Sequence, residues 1–162
     1  MTINKVIVDG FEMTEKQHAR LHESANVLRE FCKLNGIPLP RIAFYDSPYG
    51  ECGCYFHNSK IIRINPKACA YEVQNPANMR WSHPHFFTDR TIYGVLHHEF
   101  GHYLHELLKF PKLPAYRKIT SYEPNVGERF AETIKVFLGN PNLLKEYAPE
   151  RYEKLISLGL KP

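Results

Sequence analysis

The stretch Thr91–Lys109 reads TIYGVLHHEFGHYLHELLK and constrains the chain more than any other. Its apolar residues recur at helical period. Stepping about 100° per residue from His98, Ile92, Leu96, Phe100, Tyr103, Leu104 and Leu107 fall on the opposite arc. One face of such a helix is committed to a core, and the other presents His98 and His102. Gly94 and Gly101 lie at the margin of the histidine face. A glycine inside a helix costs about 1 kcal/mol relative to alanine, so these two predict that something comes close to the helix there.

His98, Glu99 and His102 together make H-E-x-x-H. Residues four apart on a helix are about 40° apart around the axis and about 6 Å apart along it. Two imidazoles at that spacing can grip one metal ion from the same side. Glu99 is turned about 100° from His98. That sets its carboxylate beside an open position on the ion, where it can serve as a general base. The plainer alternative is a pair of ordinary histidines in a chain that has nine. The amphipathic context weighs against it.

A catalytic zinc ordinarily takes three protein ligands and keeps one position open. Downstream, Glu128–Glu132 reads ERFAE. On a helix the two glutamates share one face, while Phe130, Ile134, Phe137 and Leu138 share the opposite one. Glu128 would complete a two-histidine, one-glutamate set. Glu132, one turn on, could accept a hydrogen bond from a ligand histidine and fix its tautomer. The alternative is a pair of surface glutamates, with Glu128 only supporting a helix cap at Asn125. Should Glu128 not serve, Glu123, Glu132 and His105 are the next candidates. His83 and His85 are weaker ones, because alternate residues on an irregular stretch carry little geometric information.

Net charge is 21 − 17 = +4, and no dense Lys/Arg run exists. No nucleic-acid or membrane partner is therefore expected. No apolar run approaches the roughly 20 residues of a membrane span, and no secretory signal is visible, so a cytoplasmic protein is expected. The four cysteines, Cys32, Cys52, Cys54 and Cys69, form no CxxC pair. Reduced thiols are expected. A second metal site from Cys52, Cys54 and His57 is the minor reading.

The length predicts one domain over 1–162. Lys5–Val8 reads as a first strand. A helix follows, begun by a Thr14/Gln17 capping box and stopped by Gly36; Ala19, Leu21, Ala25, Leu28, Phe31 and Cys32 form its apolar stripe. Arg41–Tyr45 reads as a strand, and Cys54–His57 with Ile61–Ile64 as a hairpin. Cys69–Asp89 is an irregular loop beside the motif helix, placed to shape substrate entry. Asn125 caps a helix over Val126–Leu138, and the tail forms two short helices split near Pro149. The fold class is α+β: an N-terminal helix, a small mixed sheet, the motif helix and C-terminal helices.

HEFGH followed by a helix carrying E-x-F-A-E resembles the zincin metallopeptidases of the glutamate-ligand type, among them the catalytic domain of anthrax lethal factor and related phage and bacterial zincin-like peptidases. The resemblance covers roughly residues 91–138. It implies a compact zincin-like domain with one zinc per chain. It implies His98, His102 and Glu128 as ligands, Glu99 as general base, and Glu132 as an outer partner of a ligand. It also implies a tyrosine upstream of the third ligand that steadies the oxyanion; Tyr122 is the nearest match and Tyr116 the reserve. The activity implied is zinc-dependent hydrolysis of peptide bonds in a peptide or protein substrate. An edge strand beside the cleft, with Lys60–Asn65 the candidate, would pair with extended peptide. The metzincin pattern is excluded by His105 and Leu108. Two other readings are a deformylase-like amidohydrolase with Cys52 or Cys54 as third ligand, and a zincin-fold binding module. The intact Glu99 argues against the module.

Overall fold

The computed structural model describes residues 5–70, 89–115, 119–120 and 122–162. The chain opens with an antiparallel hairpin of β1 (Lys5–Val8) and β2 (Phe11–Thr14), with Val8 opposite Phe11. Asp9 and Gly10 both have positive φ, 51° and 80°, as a two-residue hairpin turn of the type I′ class requires. β1 stands where the sequence places a strand. β2 is an addition, and Val-Asp-Gly-Phe is its local signal.

Thr14 then caps α1 (Glu15–Asn35). Its Oγ1 accepts the Gln17 N–H at 3.0 Å, and Gln17 Oε1 accepts the Thr14 N–H at 3.0 Å. This is the capping box expected. Gly36, at φ 63°, ends the helix in the left-handed conformation. Leu28, Phe31 and Cys32 are buried. Ala19 is exposed, so the buried stripe is narrower than the period alone predicts.

β3 (Arg41–Phe44), β4 (Gly53–Phe56) and β5 (Ile61–Ile64) form a mixed sheet in the order β3-β5-β4. β4 and β5 are the expected antiparallel hairpin, while β3 joins β5 in parallel. Here the structure corrects the sequence reading: Lys60–Asn65 is not an edge. β5 is central and paired on both sides. The parallel partner arrives from twenty positions upstream, Arg41 against Ile61, and such a pairing leaves no mark in the local alternation. β4 is the outer strand on the side of the cleft.

The motif helix α2 spans Ile92–Leu107. Asp89 Oδ1 accepts the Thr91 N–H at 2.8 Å and the Thr91 hydroxyl at 2.6 Å, which settles the first turn. Just ahead of it, Ala70 and Thr91 form an isolated parallel bridge, and the Ala70 N–H donates to the Arg90 carbonyl at 2.9 Å. Both glycines do face close neighbours. A Cβ on Gly94 would lie 2.3 Å from the Asp89 carbonyl oxygen, and one on Gly101 would lie 2.6 Å from Ala131 Cα. Ile92, Leu96, Phe100, Tyr103 and Leu104 are buried as expected, but Leu107 is 41% exposed. It stands in the last turn, next to the positive-φ residues Lys109 and Phe110 that end the helix.

α3 (Val126–Gly139) starts at Asn125, whose Oδ1 accepts the Glu128 N–H at 2.9 Å. α4 (Pro141–Tyr147) and α5 (Pro149–Ser157) are the two expected short helices. Phe31 meets Phe100 and Phe137 edge-on at 5.9 and 6.1 Å between ring centroids, tying α1, α2 and α3 into one core. The α+β class with a small mixed sheet therefore stands. No helix among the described residues is long and apolar enough to cross a membrane. The expected entry loop, with His83 and His85, and the reserve Tyr116 lie outside the described residues, apart from the loop's ends at Cys69, Ala70 and Asp89.

Candidate metal centre

α2 and α3 touch at Gly101 and Ala131, and this contact sets the separation of their polar faces. His98 and His102 from α2 converge there on Glu128 from the first turn of α3. One ligating atom of each lies within 4.8 Å of the others, the only such group of three among the described residues. The two Nε2 atoms are 3.2 Å apart. Glu128 Oε2 is 2.8 Å from His98 Nε2, and its Oε1 is 3.4 Å from His102 Nε2. Tetrahedral donors on zinc, with bonds of about 2.0–2.1 Å, are spaced about 3.3 Å apart. Glu128 Oε2 is moreover buried without a partner in hydrogen-bonding geometry. Three donors facing one point at these spacings could hold a metal ion.

His98 is held from behind. Its Nδ1 lies 2.9 Å from Glu132 Oε2, so a neutral His98 keeps its proton on Nδ1 and leaves Nε2 free to ligate. Glu132 Oε2 also takes the Lys135 ammonium at 2.6 Å, and Oε1 accepts the Thr120 hydroxyl at 3.0 Å. Electrostatics follow the contacts. Burial works against charge on His98, but the Glu128 and Glu132 carboxylates outweigh it and raise its pKa to about 9. Burial likewise opposes ionisation of both glutamates. The two histidines nonetheless hold Glu128 at about 2, and Lys135 with His98 holds Glu132 at about 2.

Glu99 is 8% exposed and lines the same cleft, whose volume is about 440 Å³. Its pKa is raised, first by burial, with His98 and His102 opposing. The Tyr55 backbone of β4 lies near it and favours its charged form. β4 can come this near because position 53 is glycine: a Cβ there would lie 3.1 Å from Glu99 Cγ. Tyr122 also lines the cleft, 41% exposed, with its ring 5.8 Å from that of His98.

The reserve ligands are occupied elsewhere. His105 Nε2 lies 2.9 Å from the Pro111 carbonyl, and its ring stacks on Phe130. Glu123 accepts the Ile119 and Thr120 N–H groups and pairs with the buried Arg151. The cysteine site is not assembled. The Cys52 thiol reaches the Ala68 carbonyl at 3.3 Å and Cys54 the Tyr55 carbonyl at 3.7 Å, while His57 leans on Glu106 at 3.4 Å. All four cysteines are free thiols. Lys135, Thr120 and Gly53 are site residues that the sequence reading misses. For Lys135 a signal existed, since Glu132 and Lys135 stand at i, i+3 on one helical face.

No protein-family model matches the chain, and searches of curated proteins and of solved structures return no match.

Proposed function

We propose that the protein is a zinc-dependent metallopeptidase holding one zinc on His98, His102 and Glu128. The observation that carries the reading is Glu99: a buried carboxylate of raised proton affinity in the same cleft as three convergent donors. A structural site has no use for such a group. Bound zinc would supply Lewis-acid polarisation of a scissile carbonyl and acidify an attacking water. Glu99 takes that water's proton and returns it to the leaving amine. Glu132 keeps His98 aimed, and Tyr122 stands on the cleft wall where a hydroxyl donor can serve a developing oxyanion. β4, rather than β5, is the strand along which extended peptide would lie.

The test is a peptide-library digest by zinc-loaded protein. Glu99→Gln should fold and bind one zinc, yet lose about 10²–10⁴-fold in turnover. Glu128→Ala should lose the zinc itself. Turnover near wild type in Glu99→Gln, or unchanged zinc affinity in Glu128→Ala, sinks the reading.

A further inference from the structure

We propose that Lys135 is a positioning residue of the metal centre: it pins the Glu132 carboxylate behind His98 and thereby sets how tightly His98 takes zinc. The inference rests on the zinc reading of the site. Lys135 lies one turn beyond Glu132 on α3. Its Nζ is 2.6 Å from Glu132 Oε2, the same oxygen that stands 2.9 Å from His98 Nδ1. Thr120 holds the other oxygen at 3.0 Å. An exposed pair at this spacing contributes little. This one is out of water: Glu132 is fully buried and Lys135 is 6% exposed. A carboxylate in that setting needs a countercharge close by.

Zinc makes that need acute. On the metal, His98 is a neutral imidazole that keeps its Nδ1–H toward Glu132. His98 then offers a hydrogen bond but no charge. Among the described residues, Lys135 is the other cation in salt-bridge contact with Glu132. With an ammonium and an imidazole N–H on one oxygen and a hydroxyl on the other, the carboxylate cannot rotate. Without Lys135 the buried carboxylate keeps, among the described residues, only the His98 N–H and the Thr120 hydroxyl, its charge is uncompensated, and its hold on the His98 ring weakens.

The experiment uses the full chain. Zinc affinity is measured by competition with a chromophoric chelator, and ligand geometry by the visible absorption of the cobalt(II) form. Lys135→Met should weaken zinc by about 10-fold or more, the range for outer partners of metal ligands, and shift the cobalt band. Lys135→Arg should recover most of the affinity. Glu132→Gln should weaken zinc to a similar degree, and adding Lys135→Met to it should change nothing further. Lys135→Gln is the second variant should the methionine one fail to fold; it keeps an N–H donor on a side chain one atom shorter, loses the charge, and should weaken zinc several-fold. Leu28→Ala, a cavity in α1, controls for lost stability and should keep its zinc. Wild-type affinity and an unmoved cobalt band in Lys135→Met or Lys135→Gln overturn the proposal alone. So does a full further loss when Lys135→Met is added to Glu132→Gln. A wild-type chain that takes no zinc removes the metal reading, and this inference with it.

Discussion

A side chain at position 53 would place its Cβ 2.8 Å from Val95 Cγ1 and 3.1 Å from Glu99 Cγ. Val95 is buried in α2 and lines the cleft beside Glu99, so an added methyl presses on both side chains and on the spacing of β4 and α2. Gly53→Ala should therefore leave zinc affinity intact and slow peptide hydrolysis by about 10-fold or more, because a misplacement of about 1 Å can cost about 10². A rate equal to wild type, measured at saturating zinc, would show that Glu99 tolerates the shift. At this scale the site was legible where chemistry follows helical period: His98, Glu99, His102, Glu128 and Glu132 are all read from spacing on two helices. Gly53 was not, because its neighbour Glu99 is distant in sequence. Lys135 carries only its i, i+3 spacing from Glu132, which on a helix reads equally as a solvated surface pair.

The ligands come from two helices, so their meeting depends on how closely α2 and α3 approach. A Cβ on Gly101 would lie 2.6 Å from Ala131 Cα, which is backbone and cannot swing aside. Gly101→Ala should cost about 1–3 kcal/mol of stability, as overpacking does. It should also weaken zinc, since Glu128 moves away from the histidine pair. Denaturant melts and chelator competition measure the two effects, and full zinc affinity in a destabilised Gly101→Ala would separate packing from ligation. Elements with local signals were legible: the capping box at Thr14 and Gln17, the stop at Gly36, the cap at Asn125. Strand partnership was not. The central place of β5 depends on β3, whose approach is a property of the tertiary fold. The Asp9-Gly10 pair carries a local hairpin signal, and it marks β2.

Over the whole molecule, the polar centre makes stability depend on pH. The His98 pKa, about 9 in the metal-free fold, exceeds the ordinary 6.5. Its proton therefore stabilises the fold fully below about 6.5, and that stability is lost as pH rises through about 9. Glu128 and Glu132, held at about 2, act oppositely: their contribution is present above about 4.5 and lost as pH falls through about 2. His97 is buried and depressed to about 4 by burial, so it too costs stability as pH falls from about 6.5 toward 4. Metal-free protein should melt progressively lower between pH 6.5 and 9. Zinc-loaded protein should not, because the metal replaces the His98 proton. Thermal melts of both forms across that range decide it, and parallel curves would contradict the assignment of His98. The bridge between Ala70 and Thr91 has a different reach. It sets Ala70 beside Arg90 and Thr91, and Asp89 and Arg90 line the cleft. Two positions joined by such a stitch tolerate a change in the length of chain between them at little cost, since closure entropy grows only slowly with loop size. Selection could therefore change the length of chain between Ala70 and Asp89 while α2 and α3 are inherited intact.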